Sequence, residues 1–140
     1  MSFFGKITTK EHYGVRLVLK LAETYYSKNP VSLKQIGEIE DISVKYLEQL
    51  IVPFKKAKWI ESIRGREGGY LMKKDPNKIT LKDVVLMLDE DLSIVDCLRK
   101  NPAHKCPQVD SCESKKAWEK VQHALETSMK NIKLSSLIKF

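Results

Sequence analysis

Apolar residues return at helical spacing in five stretches of this chain, and two short runs between them alternate as strands do. Over the first stretch Tyr13, Leu17, Val18, Leu21 and Tyr25 share one face, which predicts a helix to about Ser27 that buries them. Thr8-Thr9-Lys10-Glu11 reads as the capping box that opens it, and Asn29-Pro30 stops it. Ser32-Leu33-Lys34-Gln35 is a second capping box, with Val31 and Ile36 as a hydrophobic staple, and predicts a short helix from Leu33 to about Ile39. Glu40-Asp41-Ile42 then makes a turn. Ser43 caps a third helix whose core face is Leu47, Leu50, Ile51 and Phe54, with Ile42 and Leu47 as its staple. Pro53 lacks an amide and clashes with the carbonyl of Gln49, so a kink is predicted there, leaving Val44 to Gln49 intact. Lys58 stands where a glycine would end the helix more comfortably.

Trp59 to Ile63 and Gly69 to Leu71 read as two strands joined by the turn Arg64-Gly65-Arg66-Glu67-Gly68. After the turn Asp75-Pro76-Asn77, Thr80 caps a helix to about Leu88, with Asp83 at the third position and Ile79 and Val84 as staple. Its Val84, Val85 and Leu88 can pack back on the first helix. Asp89-Glu90-Asp91 closes it with negative charge, which is unfavourable at a helix C-terminus. Cys97 to Cys112 holds Pro102 and Pro107, shows no periodicity and reads as an irregular loop. From Glu113 to about Lys130 a long helix carries Trp118, Val121, Leu125, Met129 and Ile132 on one stripe, apolar enough to close the core or to pair with a twin.

The pattern predicts a mainly α chain with a small β-hairpin: a winged helix-turn-helix DNA-binding domain over 1–90, a cysteine-bearing loop over 91–112, and a C-terminal helix with its tail over 113–140. The third helix turns Lys45, Glu48, Gln49 and Lys56 away from its core face, all able to reach phosphates or base edges. Composition agrees with a polyanionic partner: 25 Lys and Arg against 18 Asp and Glu leave a net charge of +7. No apolar run is long enough for a membrane span, and no charged-then-apolar leader is visible, so the expected location is the cytoplasm. There is no phosphate-cradling glycine loop, no His-x3-His pair and no supported nucleophile–base pair, which argues against an enzyme.

Cys97, Cys106 and Cys112 are an odd number confined to one stretch, which is not a disulfide framework. Three thiolates in an irregular segment suit a soft metal or an iron–sulfur cluster, whereas a structural zinc site would more often show paired Cys-x2-Cys knuckles. Unrelated surface thiols, a thiol redox switch and a zinc site remain as alternatives. His12, His104 and His123 are chemically able to supply a fourth ligand, and Asp110 and Glu113 are weaker, harder donors.

These residues resemble the winged-helix iron–sulfur transcription regulators typified by IscR and NsrR. Ile7-Thr8-Thr9-Lys10 before Tyr13, the string Ile42-Ser43-Val44-Lys45-Tyr46-Leu47-Glu48-Gln49-Leu50, the wing string Ile63 to Leu71, and three cysteines before Ala117-Trp118 carry the resemblance over nearly the whole chain. It implies a homodimer built on the long C-terminal helix, a two-iron or four-iron cluster on the cysteines, and cluster control of binding to a pseudo-palindromic double-stranded operator. Lys45, Tyr46, Glu48 and Gln49 would then meet the major groove, Gln49 suiting adenine and Glu48 cytosine. Arg64 would enter the adjacent minor groove, with Arg66 beside it on the wing. IscR-like members carry a histidine ligand three residues after the last cysteine; here that residue is Lys115, which cannot ligate while protonated. NsrR-like members take the fourth ligand from the first helix of the partner subunit, at a place matching His12. The resemblance therefore implies His12, supplied in trans. A winged-helix module that binds protein and not DNA is the remaining rival.

Overall fold

A computed structural model gives the fold and describes residues 9–89, 91–100, 102 and 106–139. Among them the order is α1 (Thr9–Ser27), α2 (Leu33–Glu40), α3 (Val44–Leu50), α4 (Val52–Lys56), β1 (Ile60–Ile63), β2 (Gly69–Met72), α5 (Leu81–Leu88) and α6 (Glu113–Lys130). Short 3-10 turns occupy Pro76–Lys78, Asp96–Leu98 and Leu134–Ser136. Thr8, and with it half of the predicted first capping box, lies outside the described residues, as does Glu90.

The local signals form as the sequence predicts where polar caps exist. Ser32 accepts from Gln35 N while the Gln35 side chain accepts from Ser32 N, and Thr80 and Asp83 do the same for α5. Between α2 and α3, Asp41 takes the left-handed conformation (φ 54°), and Ile42 N donates to Gly37 O at 3.1 Å. A Cβ on Gly37 would stand 2.7 Å from the Ile42 carbonyl oxygen, so the turn is this tight only because that residue is glycine. Arg16 of α1 reaches the same turn. Its Nε donates to Glu40 Oε2 at 2.8 Å and its Nη2 to the Glu40 carbonyl at 2.6 Å.

At Pro53 the outcome differs from a kink. The helix stops at Leu50, Ile51 serves as both the end of α3 and the cap of α4, and Pro53 sits in the first turn of that second helix, where an amide is not needed. Lys58 then adopts φ 61°, the left-handed geometry a glycine would take more cheaply, and Trp59 N donates to Phe54 O at 3.1 Å.

One core is built from the chain as far as α5: Leu17, Val18 and Leu21 of α1, Ile36 of α2, Leu47 and Leu50 of α3, Phe54, Ile60, Met72, Ile79, Val84 and Leu88. Tyr13 and Tyr25, predicted as buried, are only half-buried and pack at its margin. Leu134 and Ile138 complete that core from the far end of the chain, where Leu134 N donates to Ile79 O and Leu81 N to Ile132 O. Val85, Leu92, Ile94 and Met129 form a second cluster under α6.

β1 and β2 pair antiparallel, Ile60 opposite Met72 and Ile63 opposite Gly69. Two contacts seat this hairpin on the helices. Val31 and Tyr70 exchange backbone hydrogen bonds at 3.1 and 2.8 Å, which ties β2 to the α1–α2 connection. Buried Thr24 accepts the Met72 amide at 2.8 Å and donates to Leu21 O at 2.5 Å, so both of its polar roles are filled in the core.

Candidate nucleic-acid interface and cysteine segment

α3 offers its outer face to solvent. Lys45, Glu48 and Gln49 are exposed and Tyr46 is half-buried, while Leu47 and Leu50 face inward, as 3.6 residues per turn requires. Ser43 accepts from Tyr46 N at 3.2 Å and so fixes the first turn of the helix that carries these groups. Tyr46 leans on α1: its ring meets that of Tyr13 edge-on at 6.1 Å. Burial first, then the Glu11 carboxylate and Tyr13, push the Tyr46 phenol above its ordinary value, so it stays a protonated donor near neutral pH. Glu11 itself is buried, and its Oε2 has no hydrogen-bond partner among the described residues.

The wing stands beside α3. Arg64, Gly65, Arg66 and Glu67 at its tip are exposed, Gly65 has φ 119°, and Gly68 N donates to Gly65 O at 3.0 Å. A concavity of about 460 Å3 joins the two elements, with Glu48 on the α3 side, Ser62, Arg64 and Tyr70 on the wing, and Ser32 at the start of α2. Arg66 lines a different hollow of about 520 Å3, toward Asn29, Ser32 and Gln35. The structure thus places Glu48 and Arg64 on one continuous surface and Arg66 on the neighbouring side of the wing. Lys55 Nζ lies 5.6 Å from the centre of the Tyr70 ring and adds positive charge behind the hairpin.

The cysteines sit on the connection from α5 to α6. Cys97 is half-buried in the Asp96–Leu98 turn, Cys106 is exposed, and Cys112 caps α6, its Sγ accepting from Lys115 N at 3.4 Å. All three are free thiols. Among the described residues no three His, Cys, Asp or Glu side chains come together closely enough to hold a metal ion. His12 is exposed at the start of α1 and His123 is exposed on α6, whereas His104 lies outside the described residues.

One anchoring residue was not legible in the sequence. Gln122 of α6 accepts from Ile94 N at 2.7 Å and donates to Leu92 O at 2.9 Å, pinning the Leu92–Ile94 run before Cys97 to the long helix. An amide beside an apolar stripe reads as an ordinary solvated position, and only the fold shows its backbone partners. Asp91 closes the same segment. Burial raises its carboxyl, but hydrogen bonds from Ser93 and the Lys100 backbone, with Arg99 at 3.6 Å, outweigh that and hold it below the usual carboxylate range.

The model of the Rrf2 family, described as iron-dependent transcriptional regulators, matches residues 7–139. Protein rrf2 of Nitratidesulfovibrio vulgaris is 36% identical over 134 residues, covering 96% of this chain and 87% of that protein. The solved structure of T. potens IscR superposes with a TM-score of 0.75 at 33% identity, over 96% of this chain and 87% of the other. That of CymR, the global cysteine regulator of B. subtilis, gives 0.75 at 30% identity, over 94% and 95%. These relatives are regulators and not enzymes, and their shared frame is the helix-turn-helix with a wing found here. The chain belongs to the Rrf2 family of transcriptional regulators.

Proposed function

We propose that this chain acts as a homodimer on a pseudo-palindromic double-stranded operator, and that a soft inorganic group on Cys97, Cys106 and Cys112 sets its DNA affinity. The observation that carries the DNA half is the continuous surface from Glu48 on α3 to Arg64 on the wing. Lys45, Tyr46, Glu48 and Gln49 read the major groove, Gln49 suiting adenine and Glu48 cytosine. Arg64 enters the adjacent minor groove with Arg66 along its edge, and +7 of net charge favours the phosphates. The dimer half rests on α6: Val121 and Leu125 are 38% and 37% exposed, an apolar face the chain leaves uncovered, on a helix of 18 residues. A second copy of the same helix is its natural cover.

For the cluster the donor chemistry fits: three unpaired thiols on one segment, none committed to a disulfide. Cys97, Cys106 and Cys112 would hold it, with His12 of the partner subunit as fourth ligand in place of Lys115. Such a cluster supplies redox and ligand-exchange chemistry sensitive to oxidation, nitric oxide or iron supply. Gln122 keeps the Leu92–Ile94 run on α6, so a change at the cysteines is passed to the helix that joins the subunits. A coupling of about 1–3 kcal/mol is enough for a 5–150-fold change in DNA affinity.

A second reading is favoured by the dispersed thiols and by the CymR likeness: a cluster-free regulator with a thiol redox or zinc site. Native mass spectrometry of anaerobically purified protein separates the two. A dimer heavier by one cluster per subunit, reduced in mass by His12→Ala, supports the first, while a zinc adduct or bare dimer from iron-replete cells supports the second. Cys106→Ala should fold normally and lose any effect of cluster state on DNA binding; unchanged regulation there rules the cluster role out. A winged helix serving only as a protein-binding module would show no salt-dependent duplex affinity.

A further inference from the structure

We infer that Arg16, on α1, is a positioning residue that sets operator discrimination by fixing the angle of α3. The inference rests on the reading of α3 as the groove-facing helix.

α3 is only seven residues long and gives way to α4 at Ile51, so its own backbone does little to hold its direction. Leu47 and Leu50 seat its inner face in the core, while the turn from α2 and the side of α1 brace its N-terminal half, and Arg16 acts on both. Toward the turn its fork is committed to Glu40, the last residue of α2. Nε and Nη2 approach Glu40 Oε2 at 2.8 and 2.7 Å, and Nη2 also donates to the Glu40 carbonyl at 2.6 Å. A cation on the final carbonyl of α2 is also favoured by the helix dipole. The next two residues, Asp41 and Ile42, complete the left-handed turn that launches α3. Toward α1 the Arg16 guanidinium carbon lies 5.4 Å from the centre of the Tyr13 ring, and Tyr13 meets Tyr46 of α3 edge-on. One side chain therefore braces α3 at its launching turn and, through Tyr13, at its third residue.

Lysine cannot replace this brace. A point charge lacks the planar fork that serves carboxylate and carbonyl together, and it stacks poorly on a ring. Lys20 reaches the same carboxylate only at 3.9 Å. Base-edge contacts need α3 placed to a fraction of an ångström, whereas phosphate contacts tolerate displacement. Loss of the brace should thus lower specific binding and spare non-specific binding.

The test uses full-length protein and two fluorescent duplexes: one selected by the wild type from a random-sequence library, and one of scrambled sequence. Arg16→Gln should bind the selected duplex about tenfold more weakly and the scrambled duplex within about twofold of wild type. Arg16→Lys should behave like Arg16→Gln, and Glu40→Gln, which keeps the carbonyl and the stack, should show a smaller loss in the same direction. A selected-to-scrambled ratio unchanged in folded Arg16→Gln overturns the inference. So does an equal loss on both duplexes with a shallower salt dependence, which would make Arg16 a phosphate contact. Should Arg16→Gln fail to fold, the ratio for Glu40→Gln decides. A wild type that binds neither duplex removes the DNA reading itself, an outcome distinct from any effect confined to the variants.

Discussion

Gly69 offers a sharp test of how the wing is held. It opens β2 at φ 155°, and a methyl group there would fall on the backbone carbonyl of Val31 and 2.7 Å from Ser32 N. Neither group is the free end of a side chain: Val31 is in the bridge to Tyr70, and Ser32 caps α2. Gly69→Ala can be accommodated only if β2 draws back, which gives up the Tyr70 N–Val31 O bond of 2.8 Å and its 3.1 Å counterpart. Two backbone hydrogen bonds at about 0.5–1.5 kcal/mol net each contribute roughly 1–3 kcal/mol. Backbone strain adds about 1–2 kcal/mol. For a chain of this size each kcal/mol lowers Tm by roughly 3–4 °C, so the variant should melt on the order of 6–20 °C below wild type. Circular dichroism melts measure this, with Gly65→Ala as the control. Gly65 also has positive φ (119°), but a Cβ there meets nothing within 4 Å, so only the smaller backbone term applies. Equal Tm losses in the two variants, or a loss below about 2 °C for Gly69→Ala, would refute the claim that close approach to Val31 fixes the wing.

Thr24→Val should cost about 1–3 kcal/mol in urea titration, because it keeps the shape but strands the buried Met72 amide. Leu134→Ala, at a fully buried site filled from the C-terminal tail, should cost about 2–5 kcal/mol and make the tail a protease target; a loss under about 1 kcal/mol would mean the tail is not part of the core. The Asp91 carboxyl is held below its unfolded value, so its contribution is complete above that value, near pH 4, and disappears as pH falls through the lower folded one. Melts of wild type and Asp91→Asn should therefore differ at pH 7 and draw together as pH falls from about 4 through the lower folded value. Arg64→Ala should weaken operator binding and flatten its dependence on salt by about one ion, measured by anisotropy across a salt series.

Much of this was readable in the residues because the signals are local. Ser32 with Gln35, and Thr80 with Asp83, name their helices through two hydrogen bonds each, and both boxes form. The wing needs only two short β-prone runs around a glycine-rich turn. What the pattern missed is long-range. Nothing near Leu134 says that it will lie under Ile79, some 55 positions earlier in the chain, and nothing near Val31 announces a bridge to Tyr70. Pro53 was legible as a disturbance but not as a clean division, since the outcome depends on Phe54 and Leu50 both reaching the core. The candidate site divides in the same way. The exposed face of α3 follows from helical period alone, whereas whether cysteines 9 and 6 positions apart meet depends on the path of an aperiodic loop.

The division of the helix at Ile51, just before Pro53, also limits how much sequence α3 can read. Seven residues at 1.5 Å each give α3 a span of about 10 Å, which is about three base pairs of B-form DNA. Two copies of such a helix specify about six base pairs, a word that recurs about once in four thousand positions, against on the order of a million competing sites in a genome. An address that short must be lengthened by other means. In the function proposed above, Arg64 in the minor groove would supply one extension, and the fixed distance between the two helices of a dimer another. On that proposal the gap between half-sites is part of the message, and an operator with correct letters at the wrong spacing should be as silent as one misspelled.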